Sequence, residues 1–203
     1  MKKFLLCFLP GIFVPVSLLS GGDIISTQPF TDSGNGYSLW SGRPAVGQVF
    51  TAPGQSNEKA ILNQWSLRIQ PNLDSSFYGV LAKWDGTEPT TTLWTSAHFT
   101  FTSTAFQTVN FSLDPVELDS LTEYVFYLIR ISGTTTIATS ANNYSGGYMV
   151  ASNGSVFSNY ATRDHPFDAE FSVIPEPGFY AALMIFIILG WSVWKKGHLR
   201  IRH

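Results

Sequence analysis

The sequence predicts an all-β domain, a β-sandwich or jelly roll, set between an apolar leader and an apolar tail with a basic end. Three observations predict it. Short runs rich in β-branched and aromatic residues alternate apolar with polar positions, as half-buried strands do. Gly, Asn, Asp and Ser gather between those runs as turn signals. No ten-residue stretch between residues 23 and 173 carries a helical period.

In chain order, Met1-Lys2-Lys3 precedes an apolar run over 4–19 and then Ser20-Gly21-Gly22. That is the charged start, apolar middle and small-residue end of a secretory signal peptide, assigned to residues 1–22. Cleavage is expected after Gly22, with Ser20 as the neighbouring option. Pro10, Gly11 and Pro15 interrupt a long spanning helix, which weighs against a permanent anchor. Cys7, the single cysteine, lies in this leader, so the domain has no internal disulfide and no thiolate metal site.

Residues 23–173 form the predicted domain. A Gly/Ser/Asn-rich stretch over 32–42 reads as a loop or linker, and strand 46–51 follows it. Over 65–69, Trp65, Leu67 and Ile69 alternate with Ser66 and Arg68, and over 77–84 the period of two puts Tyr78, Val80, Ala82 and Trp84 on one face. Further strands are expected at 92–96, 98–102, 106–113, 136–140, 144–151 and 168–174. The run 123–131 is almost wholly apolar and is expected as the central strand. Turns are expected at Asp85-Gly86, Ser132-Gly133, Ser145-Gly146-Gly147 and Asn153-Gly154.

The tail has three parts: Pro175-Glu176-Pro177, an uncharged apolar run over 178–194, and a segment bearing Lys195, Lys196, Arg200 and Arg202. Two prolines remove backbone donors and bias the triplet to an extended form that cannot join the following helix. As a helix rising ~1.5 Å per residue, the apolar run spans about 25 Å, short for a bilayer core but within the range of spanning segments. Trp191 and Trp194 suit the interface, and the four basic residues stop transfer on the cytoplasmic side. Lys2 and Lys3 agree with that topology, which delivers the domain outside the inner membrane.

Residues 23–173 carry thirteen acidic and six basic side chains, a net charge of −7, with no Lys/Arg cluster. Such a surface repels phosphate backbones and excludes nucleic-acid binding. The domain has two histidines, His98 and His165, and no run with metal-ligand spacing, so no metal or cofactor is expected. His98 reads as a strand-end residue and His165 as part of a turn before the last strand. Asp168 and Glu170 share one strand face, which reads as a solvated face opposite Ala169, Phe171 and Val173 rather than as a catalytic pair. No Gly-x-Ser-x-Gly marks a hydrolase nucleophile. The oxygen-rich Asp32-Ser33-Gly34-Asn35-Gly36 lacks the spacing of a calcium loop and reads as plain loop. Trp40, Trp94, Tyr144, Tyr148 and Tyr160 fall in or near expected loops and are the candidates for stacking on sugars.

The order Ile174-Pro175-Glu176-Pro177, apolar helix and basic end resembles the PEP-CTERM sorting signal over residues 174–203. Ile174 stands where that family commonly has Val, and Gly178 where Ser or Thr often follows. The resemblance implies an exported protein handed to an exosortase, a membrane enzyme that processes the tail near the triplet, in bacteria that make exopolysaccharide or biofilm. The segments "VGQVFTAPG", "VLAKWDGTEPTTTLW" and "FSLDPVELDSLTEYVFYLIRISG" resemble, more loosely, the choice-of-anchor R type of surface domain over residues 46–174. That resemblance implies a β-sandwich on the cell surface and no established activity. The reading is a non-enzymatic surface or matrix protein, passing through a single-pass membrane intermediate; the alternative is a carbohydrate-binding module that retains exopolysaccharide. A glycan-cleaving enzyme would rest on Asp168 and Glu170 alone.

Overall fold

The computed structural model describes residues 24–26, 36–141, 144–174, 185 and 188. In chain order the strands are β1 (Ile24–Ser26), β2 (Gly36–Leu39), β3 (Ala45–Thr51), β4 (Lys59–Pro71) and β5 (Ser76–Trp84). Next come β6 (Pro89–Thr95), β7 (Phe99–Thr100), β8 (Gln107–Asp119), β9 (Glu123–Ser132) and β10 (Thr135–Ala138). The last are β11 (Ser140–Ala141), β12 (Gly147–Ser152), β13 (Phe157–Tyr160), β14 (Arg163–Asp164) and β15 (Phe167–Ile174).

These strands build two antiparallel sheets. In the first, β4 pairs with β8 on one side and with β15 and β10, end to end, on the other; β1 then adds to β15 and β2 to β10. The second runs β13-β12-β3-β9-β5-β6, with β7 beside β5. β11 and β14 form a small ladder of their own. The chain changes sheet at almost every long strand, so inward side chains of both sheets fill one core, an arrangement consistent with a β-sandwich.

That core is aromatic. Trp65 of β4 is fully buried and stacks between Phe126 of β9, at 5.0 Å between ring centres, and Phe167 of β15, at 4.4 Å. Phe50, Phe77, Phe111 and Tyr124 pack around this stack from β3, β5, β8 and β9. The second sheet is also apolar on its outer face, where Val80, Ala82, Trp84, Val125, Tyr127 and Val150 form a separate buried cluster. Phe157 meets Trp84 and Tyr127 edge-on there, and the Trp84 indole N–H donates to the Tyr148 hydroxyl at 2.9 Å. Burial on both faces explains why 123–131 reads as an unbroken apolar run: β9 lies between β3 and β5, in the middle of that sheet.

Two expectations need correction. Gly36–Leu39, inside the stretch read as a loop, is strand β2 on β10. The period of two in β5 holds: Tyr78, Val80, Ala82 and Trp84 share one face, which looks outward, while Phe77 and Leu81 face the shared core. Strands β4 and β8 are longer than expected, because Asn63 bulges out of the ladder and swaps the faces of β4: Ala60 and Leu62 point inward before it, Trp65 and Leu67 after it.

Among the described residues no helix is long and apolar enough to cross a membrane. Residues 1–22, the Pro175-Glu176-Pro177 triplet and the four basic residues of the tail lie outside the described residues, as do 32–35. Of the run 178–194, the structure describes Ile185 and Ile188, both helical and exposed.

Candidate functional site

Two edge strands from opposite sheets, β2 and β13, meet along one side of the domain. Tyr37 of β2 and Tyr160 of β13 touch with ring centres 4.8 Å apart and planes at 63°, an edge-to-face contact that closes the seam. Past the end of β2 the chain turns back on itself: the Trp40 N–H donates to the Arg43 carbonyl at 3.1 Å and the Arg43 N–H to the Trp40 carbonyl at 2.9 Å. The turn returns Arg43 over β2, where its guanidinium sits 4.1 Å from the Tyr37 ring centre and reaches the Ser38 carbonyl at 3.4 Å.

Gly42 makes room for the Trp40 ring on this turn, since a Cβ there would stand 2.5 Å from it. The ring therefore lies against bare backbone, and Trp40 stays 47% exposed. Arg163 of β14 is exposed and close enough to act on the Tyr37 hydroxyl. Burial pushes the Tyr37 phenol up, and the Tyr160 hydroxyl adds to the rise, while Arg43 and Arg163 oppose it. Tyr37 is thus a neutral phenol at neutral pH, and the seam holds neutral aromatic rings beside two cations.

The other sequence candidates are committed to packing. Trp94 lies on strand β6, not in a loop, and its ring meets Phe111 edge-on at 6.5 Å and Phe126 at 6.1 Å. Tyr144 abuts Phe167 at 5.4 Å, and its hydroxyl donates to the Thr51 carbonyl at 3.4 Å. Tyr148 lies on β12 and accepts from Trp84. The structure therefore brings together Trp40 and Tyr160 of the five expected aromatics, and adds Tyr37, Arg43 and Arg163.

The two histidines differ in setting. His98 is exposed, with its ring 5.4 Å from Tyr78. His165 is fully buried between β14 and β15; its Nδ1 is 2.9 Å from the Ala138 carbonyl and its backbone N–H donates to Gln48 Oε1 at 2.8 Å. Gln48, equally buried on β3, donates to Asp164 at 2.8 Å, and Asp164 also accepts the Tyr144 N–H at 2.9 Å. This polar staple ties the two sheets through the core. Asp168 and Glu170 share the less buried face of β15, while Phe167, Ala169 and Phe171 point into the core. Among the described residues no group of His, Cys, Asp and Glu side chains is placed to hold a metal ion.

A shallow cleft of about 500 Å³ opens between residues 56–59 and 119–121. Its charges are already paired: Lys59 binds Asp119 and lies 3.4 Å from Glu117, Lys83 reaches Asp119 at 3.2 Å, and Glu58 accepts the Gln55 N–H at 2.6 Å. Lys59 and Lys83 accordingly hold the Asp119 carboxyl below its usual range. Leu121, in the β8–β9 turn, is 60% exposed and has φ +60°, a left-handed conformation that its Cβ resists. Its N–H must point at the Ala52 carbonyl, 2.9 Å away. Leu121→Gly keeps that bond and should raise stability by roughly 1 kcal/mol in urea unfolding; no gain would mean that the Leu121 side chain contributes contacts worth the strain.

No protein-family model matches the chain, and no curated protein does. Among solved structures the chain is similar to the cysteine protease and lectin-like domains of a surface layer associated protein of Clostridium difficile, at 10% identity and a TM-score of 0.46. The similarity covers 64% of this chain and 32% of that one, so the chain spans about a third of the structure it matches. A likeness of that degree says nothing of activity.

Proposed function

We propose that this chain is an exported, non-enzymatic surface or matrix protein of bacteria. On this reading the tail over 174–203 is a PEP-CTERM signal handed to an exosortase, and the β domain reaches the cell surface or the extracellular matrix. The observation that carries the reading is the order of the tail: Pro175-Glu176-Pro177, an uncharged run, then Lys195 and Lys196. The last strand supports it, since β15 runs to Ile174, the residue just before the triplet. A processing enzyme at the membrane could then cut without unfolding the domain. The test is intact mass and cell fractionation in the native host, with Pro175, Glu176 and Pro177 changed to Ala in a second strain. The native protein should lose its leader and basic tail while the variant stays uncut in the membrane. A native protein that keeps its tail would make the run 178–194 a permanent anchor.

A second reading, a carbohydrate-binding module, is favoured by one observation: Trp40, a large flat aromatic, stands half exposed beside Arg43. Sugar rings stack on such faces, and loops carry such contacts more often than cores do. The two readings share a location and differ in what the domain holds.

A further inference from the structure

We infer that the seam formed by Tyr37, Trp40, Arg43, Tyr160 and Arg163 binds a polysaccharide that carries carboxylates. The inference rests on the carbohydrate-binding reading and narrows its ligand.

The cations single out this place. The domain has six basic side chains against thirteen acidic ones, so an uncommitted cation is scarce. Lys59 and Lys83 are neutralised by Asp119, the Arg130 guanidinium donates to the Gly133 carbonyl at 2.6 Å, and the Arg68 guanidinium, on β4 and away from the seam, lies 6.0 Å from the Phe106 ring centre. Among the described residues Arg43 and Arg163 form no ion pair; the Arg43 guanidinium lies over the Tyr37 ring, and Arg163 of β14 follows three residues after Tyr160, whose ring meets Tyr37. Arg43 spends one N–H on the Ser38 carbonyl, at the long distance of 3.4 Å, which leaves donors of its planar fork for a carboxylate. The cleft over 56–59 and 119–121 offers no such charge.

Trp40 chooses sugar over a bare anion. Its ring is backed by Gly42 and 47% exposed, and its backbone pairs with that of Arg43 across the turn, so an exposed aromatic and an arginine leave the same two-residue turn. A pyranose ring could stack there while its carboxylate pairs with Arg43, and a polymer would continue past Tyr160 toward Arg163. The net charge of −7 opposes any polyanion, but that repulsion is screened beyond about 8 Å at physiological salt, so contact pairing decides.

The test is affinity electrophoresis of the full-length chain in mild detergent at about 0.15 M salt, through gels holding polygalacturonate, its carboxyl-reduced counterpart, or poly-glutamate. Polygalacturonate should retard the protein at least about tenfold more strongly than the reduced polymer, since a charge-assisted pair exceeds a neutral hydrogen bond. Arg43→Gln and Arg163→Gln should each remove most of that difference, and Trp40→Ala should weaken retardation by both polymers. Gly42→Ala, which forces the Trp40 ring from its place, should act like Trp40→Ala while the ring is kept. Arg163→Gln is the variant least able to disturb folding, because the side chain is exposed; melting curves check the others. Equal retardation by the two polymers would overturn the inference and leave the carbohydrate reading standing. No retardation by either would overturn both. Retardation by poly-glutamate that Trp40→Ala leaves intact would make the seam an acidic-peptide site instead.

Discussion

Acidification from pH 6.5 to about pH 4 should remove roughly 3 kcal/mol of folding stability through His165 alone. The ring is fully buried, and its Nδ1 lies 2.9 Å from the Ala138 carbonyl, so the proton of the neutral ring belongs on Nδ1. Nε2 is buried with no partner among the described residues. Protonation would place a second N–H, and a charge, against apolar surroundings; burial therefore pushes the His165 pKa down to about 4, and the Ala138 bond opposes this only weakly. In the unfolded chain the ring takes its proton near 6.5. Between these values the unfolded state binds more protons, so stability is whole above 6.5, falls as the pH falls, and levels off below 4.

Urea unfolding at pH values from 7 to 4, on the native chain and on His165→Asn, isolates this effect. The Asn amide can still donate to the Ala138 carbonyl but has no proton to gain in this range. Its stability should therefore lack the step that the native domain shows. Asp85 and Asp119 do not confuse the comparison. Backbone N–H groups of Glu88 and Thr87 hold the Asp85 carboxyl down, Lys59 and Lys83 hold that of Asp119 down, and both groups lose stability only below their ordinary 3.8. Parallel curves for the two proteins would mean that His165 reaches water when protonated.

How far the fold was legible depended on whether a strand kept one rhythm. β3 and β9 did, and alternation or an unbroken apolar run located them. β4 did not, because the Asn63 bulge shifts the inward positions from Ala60 and Leu62 to Trp65 and Leu67, and a reading by period two catches only one half. In β8 the same slip falls around Asp114-Pro115, where Val109, Phe111 and Leu113 point inward before it and Leu118 after it. β2 was hidden for another reason. A Cβ at Gly36 would stand 2.0 Å from Thr136, so close strand packing demands a residue that composition alone reads as loop. The seam was half legible: Trp40 and Tyr160 stood out as aromatics near turns. Tyr37, Arg43 and Arg163 did not, because β2, β13 and β14 belong to three different ladders and the Tyr37–Tyr160 contact arises only where two of them pack in three dimensions. The scarcity of basic residues was the one signal in the sequence that pointed to the two arginines.

Trp65→Ala should cost about 3–5 kcal/mol, a large part of the 5–15 kcal/mol that holds a typical domain together. Trp65 is completely buried and belongs to β4, the strand that carries β8, β15 and β10. Its ring lies nearly parallel to those of Phe126 and Phe167, at 12° and 2°, so three rings from both sheets form one continuous stack. Removing the middle ring leaves a cavity between Phe126, which also meets the rings of Phe111 and Trp94, and Phe167, which also meets that of Tyr144. Its Nε1 has no partner among the described residues, so part of the native stack's gain is already offset by a buried donor. Trp65→Phe discards that donor with the indole and should therefore cost clearly less than Trp65→Ala, by a lower loss of urea midpoint at unchanged slope. The seam offers the control: Trp40→Ala removes a ring of the same kind that is half exposed, and should change stability by less than about 1 kcal/mol. If Trp65→Ala cost no more than Trp40→Ala, the sheets would be held together by the polar staple of Gln48, Asp164 and His165 instead of by the aromatic stack.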